Sequence, residues 1–234
     1  MKKYTNICLY ILSNALIILF LCAETCFAQD NKTVSAEALQ LKNAGLVDIR
    51  DVDSSIVVLL LYATDNNFVG KQMYKSLREA YLQPEAAEKL VRAQQYLKQI
   101  NPDYTLIVYD AARPQWAQET MWNKVKNTPM QRYVANPQRI SMHTYGIAVD
   151  VSILDGDNKE LDMGTPVDFL GALAEPKNES KYLASGELTD KQVRNRKLLR
   201  TVMKKAGFRG ISNEWWHFEA FTRAEAQKKY LPIQ

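Results

Sequence analysis

Only two histidines occur in the 234 residues, and each lies in a dense block of acidic, aromatic and turn-forming residues. His143 falls in SMHTYGIAVD, from Ser141 to Asp150, and His217 in EWWHFE, from Glu214 to Glu219. About seventy residues separate the blocks, so a fold that uses both imidazoles together must bring two distant segments side by side. Coordination is the chemistry that best fits them. Catalytic zinc takes three protein ligands and keeps a fourth position for water, with two histidines and one carboxylate among the recurring sets. His143, His217 and Asp150 supply two neutral nitrogens and one negative oxygen, which leaves one bound ion per chain with residual positive charge. That charge lowers the pKa of a water from about 15.7 to about 7, and Glu214 is placed to accept its proton. Side chains on a strand alternate with period two, so Glu214 and His217 share a pocket only if Glu214 lies in a turn or bulge leading into a strand over Trp216–Phe218. Gly146 has the matching task of bending the backbone so that His143 and Asp150 both reach the ion.

The pattern SxHxxGxAxD followed by ExWH resembles the zinc D-alanyl-D-alanine dipeptidases, within the wider group of zinc peptidases that cut D-amino-acid bonds in peptidoglycan. Three further blocks resemble that subgroup's signatures in the expected order: LYATDNNFVGKQMY (Leu61 to Tyr74), YDAARP (Tyr109 to Pro114) and DMGTPVDF (Asp162 to Phe169). The resemblance covers most of the chain from Asp48 to Glu219. It implies a Hedgehog/DD-peptidase-like α+β domain whose substrate is a small D-amino-acid dipeptide. It further implies that Arg113 steadies the oxyanion with Asp110 orienting it, that Asp168 binds the free ammonium group, and that Ser141 and the Tyr62 loop line the dipeptide site. The alternatives are a peptidoglycan carboxypeptidase or endopeptidase of the same fold, and a non-catalytic zinc-binding domain. The presence of both Glu214 and Arg113 argues against the last.

Residues 1–28 read as a secretory leader: Lys2 and Lys3, an apolar stretch from Ile7 to Cys22, then Phe27 and Ala28 before Gln29. The expectation is an exported, periplasmic protein whose domain runs over residues 29–234. No stable membrane partner is expected unless the leader is retained or lipidated, and Leu21 and Glu24 fit a lipidation site poorly. Resistance-associated dipeptidases act in the cytoplasm, so the leader favours wall turnover or D-alanine scavenging. Cys8, Cys22 and Cys26 all lie in the leader, which excludes a cysteine nucleophile, a thiolate zinc site and a disulfide framework from the mature chain. A net charge of +4, with no run of basic residues interleaved with aromatics, gives no reason for a nucleic-acid partner.

The remaining pattern predicts an α+β domain: helices on a mostly antiparallel sheet, with the metal ligands on adjacent central strands. Asn31–Lys42 reads as a mobile entry segment or a short helix, and Ser55–Tyr62 as a buried strand. Pro84–Ile100 reads as a helix with an apolar stripe of Ala86, Leu90, Ala93, Leu97 and Ile100. A strand is expected over Tyr104–Tyr109, a helix over Gln115–Val125 and a strand over Ile147–Ile153. Asp155–Asn158 reads as a hairpin turn rather than a calcium loop, because no bidentate glutamate follows. Glu175–Asp190 reads as loop, Asp190–Ala206 as a helix stopped by Gly207, and the tail as a short charged helix.

Overall fold

Capping residues and apolar spacing set the helices, and one strand buried on both faces sets the sheet. The computed structural model describes residues 34–234, and the expected leader lies outside them. Along the chain run α1 (Ala36–Asn43), β1 (Val47–Asp48), α2 (Ile49–Val52), β2 (Val57–Val58), β3 (Tyr81–Leu82), α3 (Pro84–Ile100) and β4 (Thr105–Asp110). Then follow α4 (Gln115–Val125), β5 (Ala148–Leu154), α5 (Glu179–Ser185), α6 (Asp190–Lys205), β6 (Arg209–Gly210), β7 (His217–Glu219) and α7 (Arg223–Lys229). Among the described residues no helix is long and apolar enough to cross a membrane.

The main sheet has strand order β2-β4-β5-β7-β6; β2 pairs parallel with β4, and the other neighbours are antiparallel. Every residue of β5 is buried, as a central strand covered on both faces requires. Helix α3 packs its Ala86, Leu90, Ala93 and Leu97 stripe into the core, starts on Pro84 and hands over at Asn101. Gln94, also buried in that face, accepts from the Leu106 N–H at 2.8 Å and so ties α3 to β4. Helix α6 opens with a capping box in which Thr189 and Gln192 satisfy each other's backbone N–H groups.

Several expectations need correction. Ile100 is 57% exposed, so the apolar stripe ends one turn before the helix does. The strand expected over Ser55–Tyr62 shrinks to Val57–Val58 at the sheet's edge, after which the chain tightens into a 3₁₀ turn at Leu61–Ala63. Glu175–Asp190 is not all loop: it holds a 3₁₀ turn and α5. That short helix is docked by charge, since buried Glu179 accepts from both Arg200 Nη atoms at 2.7 Å. The entry segment contains α1, capped by Ser35. Asp155–Asn158 does turn the chain back, so that Leu154 bridges Glu160.

Candidate active site

Two features of the sheet and one turn beside it aim the functional side chains. Asp150 on β5 lies directly opposite His217 on β7, and directly opposed residues of an antiparallel pair project to the same face. A register shift between Val108 and Asp110 leaves Tyr109 as the extra residue and brings Asp110 opposite Asp150. Without that bulge, period-two alternation would send Asp110 to the Val108 face. His143 is not on a strand, contrary to the expectation for all three ligands. It opens a 3₁₀ turn, His143–Tyr145, that ends on Gly146 at φ +69°. That positive φ favours glycine, and a Cβ there would stand 2.7 Å from Leu46 Cδ2, a side-chain tip that would have to shift. The turn is docked by the Arg113 N–H, which donates to the His143 carbonyl at 3.0 Å.

Among the described residues, His143, Asp150 and His217 form a group whose donor atoms are close enough to share an ion. His143 Nδ1 is 2.7 Å from the Ala111 carbonyl. A carbonyl can only accept, so Nδ1 carries the proton and Nε2 presents its lone pair. His143 Nε2 lies 3.1 Å from His217 Nδ1 and 3.4 Å from Asp150 Oδ1, and His217 Nδ1 lies 3.0 Å from the same oxygen. Ligands about 2.0–2.1 Å from a tetrahedral ion sit about 3.3 Å apart, which is the size of this triangle. The donor set and its spacing therefore fit a divalent ion such as zinc. On its far side His217 Nε2 faces Glu219 Oε1 at 3.7 Å.

In the absence of an ion the cluster holds protons instead. Burial disfavours the charged form of His217, but its hydrogen bond to Asp150, the facing Glu219 carboxylate and the nearby Asp150 and Glu214 charges outweigh that and push it up to about 10. Burial acts on Asp150 in the opposite sense to its partners, and the two imidazoles win, holding it well below the carboxylate range. Glu214 precedes β7 in irregular backbone, as the alternation argument requires, with its Oε2 4.0 Å from His217 Nδ1. Burial pushes its carboxyl up to about 8.

Arg113 is anchored from behind. Its Nε donates to Asp110 Oδ2 at 2.9 Å, Nη2 bonds the same oxygen, and Nη1 donates to Gln118 Oε1 at 2.8 Å. Nη2 also faces Asp150 Oδ2 at 3.8 Å. Asp110 is 1% exposed and sits behind Arg113 rather than on the cavity wall, so it is placed to orient the guanidinium and not to touch a substrate. Asp168 accepts from the Tyr62 hydroxyl at 2.7 Å and from the Phe68 N–H at 3.0 Å. Burial raises its carboxyl to about 6. Ser141 Oγ accepts from the His143 N–H at 3.3 Å. Arg113, Ser141, Asp168, Glu214, Tyr62 and the metal-ligand group all border one cavity of about 380 Å³.

Sequence reasoning missed two supports. Gln118, fully buried on α4, holds Arg113 on one side and donates to the Ala135 carbonyl at 2.7 Å on the other; glutamine is ordinarily a surface residue, and no spacing rule marks it. Glu219 carried a usable signal, because it stands two residues beyond His217 on one strand and therefore on the same face.

Comparison with known proteins decides the family. The family described as D-ala-D-ala dipeptidase matches residues 42–234. The chain is 33% identical over 174 residues to the D-alanyl-D-alanine dipeptidase of Escherichia coli (strain K12), covering 74% of this chain and 83% of that protein. It is 30% identical over 178 residues to the D-alanyl-D-alanine dipeptidase of Enterococcus faecium, covering 67% of this chain and 82% of the relative. The chain belongs to the D-Ala-D-Ala dipeptidase family. It is thus an enzyme of the metallopeptidase class, and the α+β sheet described above is the family's frame. Of the blocks that resemble D-Ala-D-Ala dipeptidases, the four that contribute Arg113, His143, Asp168 and Glu214 meet at one cavity, and the fifth contributes Tyr62 to its wall.

Proposed function

We propose that this protein is a zinc-dependent hydrolase that splits D-alanyl-D-alanine into two molecules of D-alanine. The observation that carries the reading is the convergence, on one cavity, of a two-imidazole, one-carboxylate donor triangle with a carboxyl of raised pKa and a guanidinium fixed from behind. His143, Asp150 and His217 would hold a zinc ion, which would supply Lewis-acid chemistry for acidifying water and polarising the scissile carbonyl. Glu214 takes the proton of the attacking water and returns it to the leaving amine as the C–N bond breaks, so one water is consumed and two amino acids are released. A carboxyl near 8 is poised for both transfers, and a cation beside it draws it down toward neutrality. Arg113 stabilises the negative charge that develops on the former carbonyl oxygen, and needs no reorganisation because Asp110 and Gln118 already hold it. Asp168 receives the substrate's free ammonium on the cavity wall, beside Tyr62. A site built around that charge rejects ligands that leave it unpaired. Ser141 lines the wall next to His143.

The test is release of D-alanine from the dipeptide by the mature protein, stripped of metal by chelation and then reloaded with zinc. Turnover should vanish on chelation and return with one zinc per chain. Glu214→Gln should lower kcat by at least 10²-fold with metal content unchanged. No turnover by fully loaded protein, or normal turnover by the Glu214 variant, overturns the proposal. Cleavage of longer stem peptides in preference to the dipeptide would instead make it a peptidoglycan carboxypeptidase or endopeptidase. We further propose that it works outside the cytoplasm, in wall turnover or D-alanine scavenging, on the strength of the leader-like residues 1–28; recovery of the protein in the cytosolic fraction would remove that part.

A further inference from the structure

The stretch that carries Asp168 is held by something other than secondary structure. No helix or strand lies between Leu161 and Gly171, and Asp168 itself sits at φ +72°. A residue in the left-handed region keeps that conformation only when its surroundings over-determine it. Here Tyr62 and Phe68 hold the Asp168 carboxylate, and α6 holds the backbone on either side of it. Arg196, fully buried, donates from Nε to the Met163 carbonyl at 2.6 Å and from Nη1 to the Leu173 carbonyl at 3.1 Å. Those carbonyls lie five residues before and five after Asp168, so a single planar fork closes the loop at both ends. From the same helix Asn195 donates to the Asp162 carbonyl at 2.8 Å and Gln192 to the Asp162 carboxylate at 2.9 Å. Trp215, the neighbour of Glu214, donates its indole N–H to Thr165 Oγ1 at 2.8 Å, and the Arg196 guanidinium lies 5.7 Å from its ring. The loop is therefore fixed relative to the segment that carries the general base.

We propose that Arg196 is the positioning residue that sets selection for a free amino terminus: by closing the Met163–Leu173 loop it holds Asp168 where the substrate's ammonium arrives. This rests on the reading of Asp168 as the ammonium acceptor. Burying a guanidinium is costly even with the Glu179 carboxylate 3.6 Å from its Nη1, and a loop whose only task was to cover the core could be closed by apolar packing instead. Arg196 touches neither substrate nor ion; it acts through the place it gives Asp168.

The experiment compares D-Ala-D-Ala with its N-acetylated form in zinc-loaded wild type, Asp168→Asn, Arg196→Met and the surface double variant Gln192→Ala/Asn195→Ala. In Arg196→Met, KM for the free dipeptide should rise at least tenfold while kcat changes less than threefold. The kcat/KM preference for the free over the acetylated substrate should fall at least tenfold, toward the Asp168→Asn value. A merely structural arginine would lower melting temperature and the activity on both substrates together and leave the preference at its wild-type value, which overturns the proposal. Should Arg196→Met fail to fold, the double variant decides: a preference reduced threefold or more supports the proposal, and an unchanged one overturns it. If Asp168→Asn keeps the wild-type preference, the reading of Asp168 falls and this proposal with it. If Asp168→Asn loses the preference and Arg196→Met keeps it, only the role of Arg196 falls.

Discussion

Arg113 shows how far the chemistry of one side chain depends on what stands behind it. Two of its hydrogen bonds go to a single Asp110 oxygen and a third to Gln118, so the guanidinium plane is set before any substrate binds. Lysine at this position would keep the charge but could not reach both partners with one ammonium, because it lacks the rigid fork. Arg113→Lys should therefore lower kcat on the order of 10²-fold, with KM altered far less, since the lost interaction is one made in the transition state. Steady-state kinetics on zinc-loaded protein checks this. An equal loss through KM alone would mean that Arg113 binds ground-state substrate instead of steadying the oxyanion.

At the scale of elements, the decisive pieces are irregular ones: the bulge at Tyr109, the turn at His143–Tyr145 and the loop around Asp168. Gly146→Ala tests the turn. Forcing alanine to φ +69° costs about 1–2 kcal/mol, and its Cβ would press on the buried Leu46 side chain. Expected are that loss in chemical denaturation of the metal-free protein and a weaker zinc affinity in a competition titration, because His143 is displaced from Asp150; unchanged zinc affinity would mean that the turn does not set the ligand. Sequence alone found the regular elements that carry local signals. Helices α3, α4 and α6 were legible from Pro84, from Pro114 and from apolar spacing ended by Gly207. Helix α5 was not, because it has no apolar stripe and is held by a distant partner, Arg200. Edge strand β2 is shorter and less buried than its Val and Leu run suggests, since such runs do not reveal where a neighbouring strand stops. The residues of the site were legible as blocks, but the register shift that brings Asp110 to the Asp150 face leaves no mark in the sequence.

Across the whole molecule, the metal-ligand cluster links stability to pH. Glu214 rises from 4.5 to about 8 on folding without an ion, and His217 from 6.5 to about 10. For both, the folded chain binds more protons than the unfolded one in the window between the two values. The stability this represents is complete below the unfolded pKa and is lost as pH climbs through the folded one. Asp168, raised from 3.8 to about 6, acts in the same direction at lower pH. Asp150 acts oppositely: its lowered pKa contributes stability above 3.8 that is lost in acid, outside the range at issue. Between pH 6.5 and 9 the melting temperature of the chelated protein should therefore fall as pH rises. An ion that binds the deprotonated imidazole must displace the proton shared by His217 and Asp150, so its affinity, and the thermal shift it produces, should grow over the same range. Melting curves at three pH values, with chelator and with one equivalent of zinc, test both slopes at once. If the chelated protein is equally stable across the range and the zinc shift does not change with pH, the buried protons are not where the geometry of His217, Asp150 and Glu214 puts them.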